Sequence, residues 1–86
     1  DALVKQAGAE CNLALATDPN LPEAHDTLGR VFKEEGRLDQ AEQSFLNAIR
    51  ADKNYSDAYA GLGLVQLEGG RSAEAMSSFK QATALN

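Results

Sequence analysis

The chain has 86 residues, 43% of them hydrophobic and 24% charged, with a net charge of −5; that length suits one small domain. The acidic balance, spread along the chain, argues against a nucleic-acid surface, which needs clustered Lys and Arg, and against docking on anionic lipid. The single cysteine, Cys11, excludes an internal disulfide, and no apolar run approaches the roughly 20 residues of a membrane-spanning helix.

Frequent Ala, Leu, Glu and Gln with scarce Pro favour helix over strand. Taken in order, apolar spacing and punctuation predict five helices, at 2–17, 22–35, 38–51, 56–69 and 72–85. The first carries Ala7, Cys11 and Ala14 at helical spacing and ends at "TDPN" (Thr17–Asn20). Pro22 suits the first position of the second helix, where Ala24, Leu28, Val31 and Phe32 share a face. Gly36 then offers a left-handed cap. Leu38, Ala41, Phe45, Ala48 and Ile49 define the third helix, and Ala58, Leu62, Val65 and Gln66 the fourth. Gly69-Gly70 closes the fourth. Ser72 suits an N-cap for the fifth, with Glu74 in its first turn and Ala75, Phe79 and Ala82 on its apolar face.

The chain repeats itself. Pro22–Asp52 laid over Ser56–Asn86, an offset of 34, gives eleven identities in 31 positions. They include Leu28/Leu62, Gly29/Gly63, Gly36/Gly70, Arg37/Arg71, Ala41/Ala75, Phe45/Phe79 and Ala48/Ala82. At the same offset Ala7, Cys11 and Ala14 fall under Ala41, Phe45 and Ala48, and "TDPN" falls under "ADKN" (Ala51–Asn54). A fixed period of this length marks a stack of helical units. Glycine inside a helix costs about 1 kcal/mol relative to alanine, so its return at one phase implies close helix crossings. Gly29 is expected to meet Ala41, and Gly63 to meet Ala75. Ala48 beside Ala58, and Ala14 beside Ala24, are expected to do the same between units.

Leu28-Gly29, Phe32, Gly36, Ala41, Phe45, Ala48 and Asp52 resemble the tetratricopeptide repeat (TPR), as do Tyr59, Leu62-Gly63, Gly70, Ala75, Phe79 and Ala82. "DPN" at Asp18–Asn20 resembles the turn between its units. His25 in place of an aromatic, Lys53 in place of a proline, and Gln66 in place of an aromatic depart from the pattern. The resemblance covers the whole chain. It implies an all-α, right-handed superhelix (α-solenoid) of antiparallel helix pairs, with a concave face that holds peptides or partner proteins. The expected organisation is one segment: 1–21, the second helix and closing turn of a truncated repeat; 22–55, a full repeat; and 56–86, a nearly full one. A start at "DALVKQ", without Met or a signal pattern, leads to the expectation of a fragment of a longer array; with the free cysteine it leans to the cytoplasm.

No catalytic constellation stands out. Cys11 and His25 lie on adjacent predicted helices, but a nucleophile–base dyad also needs an orienting third group and a cleft. Cys11 occupies a core slot, filled by Phe in the other units, where buried cysteine is common. His25 occupies an aromatic slot. Soft ligands are too few for a zinc site, and "GLGLVQLEGG" (Gly61–Gly70) lacks the strand and spacing of a phosphate loop. The expectation is a non-enzyme with no cofactor.

Off the packed face, the first helix of each full unit presents Glu23, Asp26, Thr27, Arg30, Lys33 and Glu34, then Asp57, Ala60, Gly61, Leu64, Leu67 and Glu68. The partner-binding candidates are Asp26, Thr27, Arg30, Lys33, Ala60, Gly61, Leu64 and Leu67, with the leucines as an apolar strip that either binds a partner or meets a further repeat. One TPR subclass clamps the terminal carboxylate of chaperone peptides with Lys and Asn. The resemblance places Asp26 at a Lys position of that clamp, and Arg30 and Gly61 at Asn positions, which argues against it here. At the C-terminal end Met76, Phe79, Thr83 and Leu85 are expected to mediate self-association through uncapped faces. The favoured function is a protein-interaction module of scaffold or adaptor type. Alternatives are an accessory segment of a bacterial signalling enzyme such as a serine/threonine kinase, to whose repeats the wording is similar, and a structural oligomerisation unit.

Overall fold

The computed structural model describes residues 2–86. Helices α1 (Ala2–Thr17), α2 (Pro22–Glu34), α3 (Leu38–Ala51), α4 (Ser56–Glu68) and α5 (Ser72–Leu85) follow in order, with no strand among the described residues. The helices match the expected bounds, except that α2 and α4 each end one residue sooner. Packing is densest within the pairs α2/α3 and α4/α5; α1 rests on α2, and α3 on α4. This is an all-α helical repeat solenoid.

Two turn designs alternate along it. Inside each pair the turn is made by Gly36 or Gly70, at φ 76° and 80°. The Gly36 N–H donates to the Lys33 carbonyl at 3.0 Å, and the Arg37 N–H to the Phe32 carbonyl at 2.9 Å. Gly70 to Leu67 (3.1 Å) and Arg71 to Gln66 (2.8 Å) repeat that pattern, which satisfies otherwise orphaned helix-end carbonyls. Between pairs the turn is an aspartate device. The Asn20 N–H donates to Asp18 Oδ1 at 3.1 Å, and the Asn54 N–H to Asp52 Oδ1 at 3.0 Å. This is why "TDPN" and "ADKN" recur. Extended residues Leu21 and Tyr55 then lead into α2 and α4, and Pro22 opens α2.

Ser72 is not the N-cap expected for α5. It is the first helical residue, and Arg71 holds the cap position with no side-chain cap bond. The Gly70 turn is so tight that the helix begins directly after Arg71, whose N–H is already taken by Gln66. The Arg71 guanidinium instead meets Glu74 at 3.2 Å and reaches Glu42 on α3 at 2.8 Å.

The core sits where the two full units meet. Ala41, Phe45, Ala48 and Ala58 are 0% exposed, and Leu62 and Val65 join them. Ala48 and Ala58 thus share one cluster, as expected. Burying a phenylalanine such as Phe45 contributes about 3 kcal/mol. On its Cβ side, Gly29 has Phe45 as its nearest neighbour. A Cβ on Gly29 would lie 2.8–2.9 Å from ring atoms of Phe45, and one on Gly63 would lie 2.7–2.9 Å from the Phe79 ring. The glycines make room for the aromatic ring one turn beyond Ala41 and Ala75, because that longer side chain spans the gap to the facing helix.

Candidate functional site

α2 and α4 lie side by side on the inner face, and a groove of about 300 Å³ runs between them. Its walls are Arg30, Lys33 and Glu34 from α2 and Asp57, Ala60, Gly61 and Leu64 from α4. Its base is the buried ring of Phe45, reached from α3 beneath. A Cβ on Gly61 would collide with that ring. Gly61 is therefore buried floor rather than an exposed contact.

Leu64 and Leu67 are 45% and 51% exposed. Leu64 lines the groove, whereas Leu67 lies beyond its lining. Arg30, with a side chain 62% exposed, reaches back to Asp26 Oδ2 at 3.4 Å, and Lys33 bridges to Glu68 of α4 at 3.5 Å. The groove thus sets Arg30 and Lys33 beside Glu34 on its α2 wall, and apolar Ala60 and Leu64 beside Asp57 on α4.

Asp26 departs from the expected arrangement. It is only 4% exposed, and its Oδ1 is buried without a hydrogen-bond partner. Burial lifts its carboxyl above the ordinary carboxylate range; Arg30 pulls it down and Asp57 pushes it up. Helical phase does point Asp26 inward, but the side chain is buried there, close enough to Tyr55 and Asp57 to interact with both electrostatically. The Tyr55 hydroxyl is raised in turn, by burial first and then by Asp26, Asp57 and Glu23. These acids make one end of the inner face negative. Thr27 is exposed but borders a different cleft, beside α1. Sequence reasoning missed Phe45 as the groove's base. Its signal was the paired glycines, Gly29 and Gly61, on the two helices flanking its ring.

The remaining reactive groups are held in the packing. Cys11 is buried, and its thiol is pushed up by burial and by Glu10. His25 is half-buried, and its Nε2–H donates to the Pro19 carbonyl at 2.8 Å, so it braces the turn before α2. Among the described residues, no group of three or more His, Cys, Asp or Glu is placed to hold a metal, and no helix is long and apolar enough to cross a membrane.

A solenoid of helix pairs with a lined inner groove is a helical-repeat architecture, and comparison assigns its type. A family model described as TPR repeat matches residues 29–70, and one described as tetratricopeptide repeat matches 56–86. The chain belongs to the tetratricopeptide repeat family. The second TPR of Spaghetti (RPAP3), solved bound to the HSP90 peptide SRMEEVD, superposes with a TM-score of 0.90 at 22% identity over 96% of this chain and 77% of that one. Two crystal structures of MamA superpose at 0.87 and 0.84, both at 26% identity over 95% of this chain. This chain spans only about half of their length, 48% and 45%. No curated protein matches the sequence.

Proposed function

We propose that this chain is a protein-interaction module whose α2–α4 groove takes a peptide segment of a partner protein, with no catalytic role of its own. The observation that carries this reading is Leu64, an exposed apolar side chain set in a groove opposite Arg30. A ligand of matching chemistry places an apolar side chain on Leu64 and Ala60 and an acidic group on Arg30, with Lys33 adding positive charge at the same wall.

The peptide-bound RPAP3 structure supports the reading through likeness of fold. Its particular peptide is not carried over. The clamp resemblance gives Asp26, Arg30 and Gly61 where Lys and Asn would grip a terminal carboxylate, and Asp26 is buried and acidic. The groove therefore prefers an internal peptide segment to a chaperone tail.

The test is selection of peptides from a displayed library on the immobilised chain, followed by affinity measurement on Leu64→Glu and Arg30→Ala. Each variant should lower affinity about tenfold, a loss of about 1.4 kcal/mol; Leu64→Glu should leave the thermal melt unchanged, while Arg30→Ala lowers it slightly because the buried Asp26 loses its ion-pair partner. Selected peptides that bind both variants as well as the parent chain would overturn the proposal and favour a purely structural unit.

A further inference from the structure

The α2–α4 groove contains an ion pair that an acidic ligand disturbs. Asp26 is 4% exposed, its Oδ2 lies 3.4 Å from the Arg30 guanidinium, and its Oδ1 is buried without a hydrogen-bond partner. Arg30 is also the groove residue set to meet a ligand's acid. An acid that draws the guanidinium outward leaves Asp26 buried with no counter-charge. Stripping a buried charge of its partner is costly, so a purely acidic ligand gains one ion pair at the expense of another.

Asp26 belongs to a group of carboxylates at one end of the groove. Glu23 and Asp57 occupy the first turns of α2 and α4. Burial raises the Tyr55 hydroxyl first, and Asp26, Asp57 and Glu23 all lie near enough to raise it further. Helix dipoles favour acids in a first turn, which accounts for Glu23 and Asp57. They do not account for Asp26, which stands past the first turn of α2 and is enclosed. Asp57 is exposed and lines the groove, and its charge also acts on Asp26. A cation resting on Asp57 therefore offsets both carboxylates without entering the core. Among the described residues no cluster of acids is placed to hold a metal ion, so the ammonium or guanidinium of a side chain suits this end better.

Resting on the reading of this groove as a peptide site, we propose that its ligand is a peptide segment bearing two opposite charges: an acid over Arg30, and a lysine or arginine over Asp57 that replaces the counter-charge Asp26 gives up. The helices set the spacing. At the offset of 34, Leu64 corresponds to Arg30 and Asp57 to Glu23, so each pair stands at one height in the groove. Asp57 and Leu64 are seven residues apart, about 10 Å along α4 at roughly 1.5 Å per residue. An extended peptide advances about 3.3 Å per residue. The basic residue thus lies about three positions from the neighbouring apolar and acidic residues that meet Leu64 and Arg30.

The test selects random displayed peptides on the parent chain and on Asp57→Lys. The parent chain should enrich Lys or Arg about three positions from an apolar–acidic pair. Asp57→Lys should keep the pair and replace the basic residue with Glu or Asp. One peptide selected on the parent chain, and the same peptide with its basic residue changed to Ala, are then measured on the parent chain and on Asp26→Asn. The alanine peptide should bind the parent chain about tenfold more weakly. Asp26→Asn leaves no buried charge unpaired, so the gap should narrow to about threefold. Selected peptides that need Leu64 and Arg30 but carry no basic residue would overturn this inference and leave the groove reading standing. An equal gap on the parent chain and Asp26→Asn would do the same. Peptides indifferent to Leu64→Glu and Arg30→Ala, or a selection that yields no binder, would overturn both.

Discussion

Phe45 links the core to the groove. Its ring lies between α2 and α4, against both Gly29 and Gly61, so a methyl group on Gly61 has nowhere to go without moving the ring. Gly61→Ala should destabilise the fold by about 1–3 kcal/mol through overpacking, measured by urea denaturation. Adding Phe45→Leu should recover part of that loss. A fully stable Gly61→Ala protein would show that α4 slides freely over α3. Asp26 carries a different cost. Its raised carboxyl pKa means that folding disfavours the charged form. The penalty is absent below the ordinary carboxylate pKa of about 3.9, grows as pH rises toward the raised folded value, and is complete above it. Asp26→Asn should therefore stabilise the protein at pH 7, because it removes the charge that burial disfavours. The mostly exposed Arg30 loses little when its partner is neutral. The gain over the parent chain should fade as the pH is lowered through this window; a gain that stays constant with pH would assign the effect to something other than the Asp26 charge.

At the scale of the helix, the two turn designs divide the labour of ending and restarting. Gly69 and Gly70 separate their roles clearly. Gly70 has φ 80° and open space where a Cβ would go, whereas Gly69 has φ −82°. Gly70→Ala should cost about 1–2 kcal/mol from left-handed backbone alone, and Gly69→Ala should stay within about 0.5 kcal/mol. Thermal unfolding of both variants separates backbone strain from packing. Helix positions, the Gly36 and Gly70 turns and the aspartate turns were all legible in the sequence, because each depends on residues within one turn of chain. The depth of Asp26 was not legible. Helical phase gives the direction of a side chain but not its depth, and the groups that interact with Asp26 include Tyr55 and Asp57, about thirty residues on in the sequence. That Gly61 seats the Phe45 ring was not legible either, since the ring reaches it from α3 rather than from its own helix pair. The Ser72 cap failed because the repeat's tight turn, not local propensity, fixes where α5 begins.

Across the whole molecule, the repeat sets what each end exposes. Phe79 is the counterpart of Phe45 but is only half-buried, whereas Phe45 is fully enclosed. Met76, one turn before it, is 58% exposed, Thr83 is exposed and Leu85 is half-buried. We expect this α5 face to associate weakly with a second copy at high concentration, since apolar area left open at the end of a stack gains by being covered. Phe79→Asp is a poor probe of this, because the ring also packs on Gly63 and its loss would loosen the last pair. Met76→Asp removes outward apolar surface without touching that contact. Sedimentation equilibrium across a concentration series should show an apparent mass rising above 9.2 kDa for the parent chain and staying at monomer for Met76→Asp. Equal rises in both proteins would place the association elsewhere. Unchanged circular dichroism of Met76→Asp would show that the charge acts on the surface and not on the fold.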